Sequence, residues 1–163
     1  MLRRALSAVA LLTASLSPGC SSSSSCTDVA CASGAHFQSG VHLNGTNDQL
    51  TIDICKNNAC AHGTAEARSA TTGQPTCGVV GSIDAACSLT LGANGNATFA
   101  VDVPGPGASV NVDDLADGDI YRVRVTRAQT NESLVDVTKP VTYTKTQPNG
   151  PSCPPTCKHA DFS

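Results

Sequence analysis

The run Leu115-Ala116-Asp117-Gly118-Asp119-Ile120-Tyr121-Arg122-Val123-Arg124-Val125 opens as a turn and continues as a strand. Asp117-Gly118-Asp119 is turn chemistry, because glycine takes left-handed backbone without strain and an aspartate side chain bonds its own backbone. From Tyr121 onward, Tyr121, Val123 and Val125 alternate with Arg122 and Arg124. That period of two sets apolar side chains on one face and guanidinium groups on the other. Arg122, Arg124 and Arg127 are the nearest approach to a basic cluster in the chain, and they read as the polar face of this one strand.

The same period recurs on both sides of the run. Strands are expected near 36–43, 49–55, 60–67, 77–82, 87–92, 97–103, 119–127 and 133–145, separated by Gly, Asn, Asp or Pro clusters. In Leu50-Thr51-Ile52-Asp53-Ile54-Cys55 the apolar residues face inward and Cys55 outward, and Lys56-Asn57-Asn58-Ala59 reverses the chain to bring Cys60 opposite Cys55. Leu89 and Leu91 pair with Phe99, Val101 and Val103 across the strong turn signal Asn94-Gly95. Pro140 lacks the ladder donor, which places it on an edge or where a strand changes partners. No helical period of useful length follows residue 20. The fold class is therefore all-β, an antiparallel Greek-key sandwich of about 7–8 strands.

Leu115-x-x-Gly118-x-x-Tyr121 before an alternating strand resembles the tyrosine corner of fibronectin type III and other immunoglobulin-like sandwiches. The resemblance implies that the Tyr121 hydroxyl turns back onto the preceding loop while Val123 and Val125 enter the core. Immunoglobulin domains proper carry a cysteine two residues after that tyrosine. Val123 stands there, so no inter-sheet bridge of that kind is expected.

Three phenylalanines, two tyrosines and no tryptophan leave a core of Val, Ile, Leu and Ala, which buries less area per residue than rings do. Exported domains often make up such a deficit with disulfides. Nine cysteines stand at 20, 26, 31, 55, 60, 77, 87, 153 and 157. With Cys20 set aside the count is even, and sequence neighbours are the simplest set: Cys26–Cys31, Cys55–Cys60, Cys77–Cys87 and Cys153–Cys157. Longer bridges, such as Cys31 to Cys153, remain open, because closing a long loop is worth roughly 5 kcal/mol and a short one roughly 2.

Arg3-Arg4, the apolar stretch Ala5–Leu16 and the small residues after it have the layout of a secretory signal, too short to span a bilayer. Leu16, Gly19 and Cys20 resemble a bacterial lipobox, which implies cleavage before Cys20 and lipidation of its thiol. Ser21 at the next position resembles outer-membrane sorting. The alternative is an ordinary signal peptide cut at Ser17-Pro18-Gly19 or near Thr13-Ala14-Ser15, with Cys20 free for a disulfide. Residues 1–19 thus read as signal, 20–35 as lipid anchor and serine-rich tether, and 36–163 as the sandwich with its Pro- and Cys-rich end. The layout is similar to that of lipoproteins from myxobacteria and other Gram-negative bacteria with large genomes.

Without the leader, eight basic residues face thirteen acidic ones, a charge of −5, which speaks against nucleic acid as a partner. The loop with Asn111, Asp113, Asp114, Asp117 and Asp119 offers carboxylates that calcium takes, without EF-hand spacing, and is expected to be solvated. His36 and His42 share a strand face, and His62 follows Cys60; all three are expected in solvent, with no metal. Cys153-Pro154-Pro155-Thr156-Cys157 misses the spacing of zinc and redox motifs, and His159 beside it is the best candidate for unrecognised chemistry. Serine elbows, phosphate loops and His-Glu-x-x-His are absent from the sequence. The expectation is a non-enzymatic, lipid-anchored envelope protein with no cofactor, exported and held on the outer membrane, its sandwich presented to an envelope or extracellular protein. A soluble secreted or periplasmic binding domain, with calcium as candidate ligand, is the alternative.

Overall fold

The structure is a computed structural model that describes residues 30–45, 48–67, 75–104 and 110–163. The segments read above as signal and serine tether, with Cys20 and Cys26, lie outside the described residues. The rest is all-β: β1 (Gly34–His42), β2 (Gln49–Lys56), β3 (Ala59–Glu66), β4 (Thr76–Gly81), β5 (Ala86–Leu91), β6 (Asn96–Val103), β7 (Ile120–Arg127), β8 (Ser133–Pro140), β9 (Thr144–Thr146) and β10 (Cys157–Phe162), with one 3-10 turn at Val112–Asp114.

Two five-stranded sheets face each other, in the orders β5-β6-β1-β10-β9 and β4-β3-β2-β7-β8. The inward residues follow from the pleat. Phe37, Phe99 and Val101 of the first sheet meet Leu50, Ile52, Ile54, Val123 and Val125 of the second in one core. All eight are nearly or fully inaccessible, the expected end of period-two patterning on a sheet with one wet face. Asn94 and Gly95 both take positive φ, 57° and 76°, as a two-residue hairpin turn requires. A Cβ on Gly95 would also stand 2.7 Å from the Leu43 carbonyl oxygen.

Ten strands exceed the expected 7–8 for two reasons. The long last strand divides at Pro140: β8 ends there on the edge of one sheet, and Val141 to Tyr143 carry the chain across to β9 at the edge of the other. The C-terminal segment, beyond the last expected strand at 133–145, is itself a strand. β10 inserts between β1 and β9, parallel to β1. Its Phe162 ring lies 5.2 Å from Phe37 and 5.4 Å from Tyr121, so the side chain closes the core from within the sheet.

The disulfides correct two of the neighbour pairings. Cys55–Cys60 and Cys77–Cys87 are bridged, the first directly across the β2–β3 ladder. Cys31, however, bonds Cys157 across a sequence separation of 126, so neither Cys26–Cys31 nor Cys153–Cys157 forms. Cys153 is disulfide-bonded as well, and its partner lies outside the described residues. The physical reason is β10: pairing it beside β1 brings the segment before β1 to the start of β10, with Cα atoms 6.2 Å apart, inside the range a disulfide accepts.

Candidate functional site

The strand registers give the sandwich two unlike ends. At the base lie Ala30–Gly34, the β4–β5 link, the loop before β7 and the β9–β10 loop. At the opposite end, the crown, lie Leu43, Asn44, Gly45 and Asp48, the end of β3 and the start of β4, the turn 92–95 and the hairpin 128–132.

The base is tied by side chains that reach backbone. The Cys31–Cys157 bridge crosses it, and the Lys158 amide donates to Ser33 Oγ at 3.2 Å. Lys56 Nζ donates to the Asp114 carbonyl at 2.8 Å and pairs with Asp119 at 3.0 Å. Asp119 also accepts from Asn57 and from the Ala116 amide, and Asp117 accepts from the Tyr143 amide. Burial pushes the Asp119 carboxyl up, but Asn57, Lys56 and the Ala116 amide together hold it below the usual carboxylate range. Asn111 caps the 3-10 turn through the Asp113 amide. Asp117 and Asp119 are therefore engaged in folding the loop rather than gathered around a shared point. Among the described residues, no three His, Cys, Asp or Glu side chains are grouped to hold a metal.

Tyr121 departs from what the resemblance to a tyrosine corner implied. Tyr121 is fully buried, and its hydroxyl meets the Tyr143 hydroxyl at 2.7 Å, while Tyr143 donates to Asp119 at 3.2 Å. Among the described residues, the Tyr121 hydroxyl thus reaches the preceding loop only through Tyr143, because the segment crossing from β8 to β9 delivers a second buried phenol there. Burial raises both phenols above their ordinary value, and for Tyr143 the Tyr121 hydroxyl adds to it.

The crown hangs on a residue assigned above to a polar face. Arg127 is only 3% exposed. It shares the inward parity of Tyr121, Val123 and Val125, a signal present in the alternation and obscured by treating three arginines as one group. Its guanidinium donates to Asp48, to Glu132 at 3.0 Å and to the His42 carbonyl at 3.2 Å. Asp48 in turn accepts from the Asn44 amide at 2.7 Å. The hydrogen bond to Asp48 raises the proton affinity of Arg127 more than burial lowers it, so the group stays cationic. One buried cation thus fixes two crown loops against the ends of β1 and β7, while Asn44, Ala93, Asn94, Gln129, Thr130 and Asn131 face solvent. Arg122 and Arg124 do lie on the outer face, the latter paired with Asp136 at 2.9 Å.

The histidines fall apart as a group. His62 pairs with Asp53, and His42 stands 3.5 Å from Asn96. His36 lies 2.8 Å from Asp102, and His159, 3.0 Å from Asp161, joins it at the base.

Three disulfides among the described residues mark a chain that matures in an oxidising compartment. No helix among those residues is long and apolar enough to cross a membrane. No family model, no curated protein and no solved structure matches this chain.

Proposed function

We propose that this is a non-enzymatic, lipid-anchored protein of the cell envelope that presents its sandwich as an interaction module. The observation that carries the reading is the separation of the two ends. The chain enters at the base, where Cys31–Cys157 binds the incoming segment to the last strand, and the loops buttressed by Arg127 stand at the opposite end. A pull on the tether is taken by a covalent bond, and the crown faces away from the anchoring surface. Preorganised loops on a rigid sandwich are a common platform for protein recognition. Kinship with immunoglobulin-like sandwiches is part of the proposal, supported by Leu115-x-x-Gly118-x-x-Tyr121 and by β7 lying between β2 and β8.

Lipidation is tested by mass spectrometry of the N-terminal peptide from membranes of the producing cell. The expected peptide begins at Cys20 and carries the mass of a diacylglyceryl group, with or without a third acyl chain. A free amino terminus elsewhere, with no acyl mass, sinks the anchor and leaves the soluble secreted binding domain.

A further inference from the structure

The two sheets end in four edge strands, β4 and β8 in one and β5 and β9 in the other. Natural edges avoid pairing with other chains through charge, proline or shortness. β8 carries Asp136, Lys139 and Pro140, and β9 is three residues long with Lys145 at its centre. The exposed residues of β5 are the hydroxyl-bearing Ser88 and Thr90. β4, Thr76-Cys77-Gly78-Val79-Val80-Gly81, has neither charge nor proline, and its Val80 is 81% exposed.

Among the described residues, β3 is the one ladder partner of β4. The Ser82 amide donates to the Cys60 carbonyl at 2.8 Å, one step beyond the pairing of Ala61 with Gly81. Hydrogen-bonded and open pairs alternate along an antiparallel ladder, so Thr76, Gly78 and Val80 direct their backbone groups to β3. Cys77, Val79 and Gly81 turn theirs to the open edge. The side chains of Cys77 and Val79 pack toward the core, which leaves Gly78 and Val80 on the outer face.

We propose that β4 is the contact of a symmetric dimer, in which the β4 edges of two copies of this chain pair antiparallel about Val79. The two-fold axis sets Val79 against the partner's Val79 and Cys77 against the partner's Gly81, so the residues with open backbone groups are the ones that bond. Gly78 then faces the partner's Val80 in the open kind of pair, which brings side chains closest. A Cβ on Gly78 would meet nothing within 4 Å, so the outer face has room there for the valine. Residues 75–83 hold no charged side chain, and self-pairing therefore opposes no like charges. One surface supplies both the protruding group and the space for it, as an isologous contact requires. β4 runs from crown to base, so the two bases lie at opposite ends of the pair. Under the anchoring proposed above this suits copies held on facing surfaces, although the pairing itself does not depend on that anchoring.

The oxidised chain, in a density-matched detergent so that its mass is read alike with or without a lipid on Cys20, is followed by sedimentation equilibrium over a rising concentration series. A monomer–dimer equilibrium is expected. Amide hydrogen exchange at Cys77 and Val79 slows as the dimer fills, while that at Val80, already bonded to β3, changes little. Gly78→Lys together with Val80→Lys opposes like charges twice across the axis and weakens the dimer by at least about 10-fold. Mixed with a chain carrying Gly78→Glu and Val80→Glu, it pairs again as a heterodimer. Both positions are exposed, and urea midpoints check that each variant folds; if one does not, exchange at Val79 in the parent carries the test. A chain that stays monomeric at every concentration overturns the interface, as does a dimer that the two lysines leave undiminished or that leaves Val79 exchange unchanged. Failure of the mixed chains to pair overturns the register.

Discussion

Arg127→Met is expected to lower the unfolding free energy by about 3–5 kcal/mol, the cost of leaving a buried charge without its partner. The stranded group is Asp48, 6% exposed, which among the described residues keeps only the Asn44 amide once the guanidinium is gone. The methionine fills most of the volume, so the loss comes from electrostatics and not from a cavity. Asp48→Asn in the same chain removes the uncompensated charge, and the double variant is expected to be more stable than the two single losses predict when added. Urea unfolding midpoints measure both effects. Arg124→Met is the contrast: its ion pair with Asp136 is about half-exposed on both sides and is worth about 0–1 kcal/mol. A loss for Arg127→Met no larger than that of Arg124→Met removes the buttress from the account.

Removing the long bridge, with Cys31→Ala and Cys157→Ala together, is expected to cost between about 2 and 5 kcal/mol. The upper figure is the loop entropy released when a closure of this length is the only long-range link, and the lower is that of a loop of about five residues. The result falls between them because Cys153 is itself disulfide-bonded and retains part of the constraint. The loss is expected to be local before it is global. β10 has only Ala160 and Phe162 packed with the core, so its amides should exchange hydrogen faster than those of β2 and β7. Unchanged β10 protection together with an unchanged urea midpoint contradicts a stapling role for this bridge.

Both results bear on what the sequence could disclose. The alternation in 50–54, 97–103 and 121–125 was readable because in these central strands one face is wet and the other dry. Asn94-Gly95 and the Cys55–Cys60 reversal were readable because turn geometry is local. Arg127 stood in plain view by parity, yet its burial depends on Asp48 and Glu132 arriving from two loops, which no window of one strand contains. β10 escaped because Cys157-Lys158-His159-Ala160-Asp161-Phe162 offers only Ala160 and the near-terminal Phe162 as apolar inward positions, too few to show an alternation, and gains strand character only by lying between β1 and β9. With β10 went the Cys31–Cys157 bridge and the placing of His159 on the strand beside His36. Each is a consequence of one parallel pairing between distant segments. The Tyr121–Tyr143 contact was hidden for the same reason, since Tyr143 reaches it only after the chain changes sheets beyond Pro140.

The claim that the base holds and the crown presents is tested by photo-cross-linking on intact producing cells. A photoreactive residue is placed at exposed Thr130 or Ala93 on the crown, or at exposed Asn58 on the base. The account predicts that the crown positions capture a protein of the envelope or cell exterior and that Asn58 does not. Capture of a protein from Asn58, with none from Thr130 or Ala93, contradicts it.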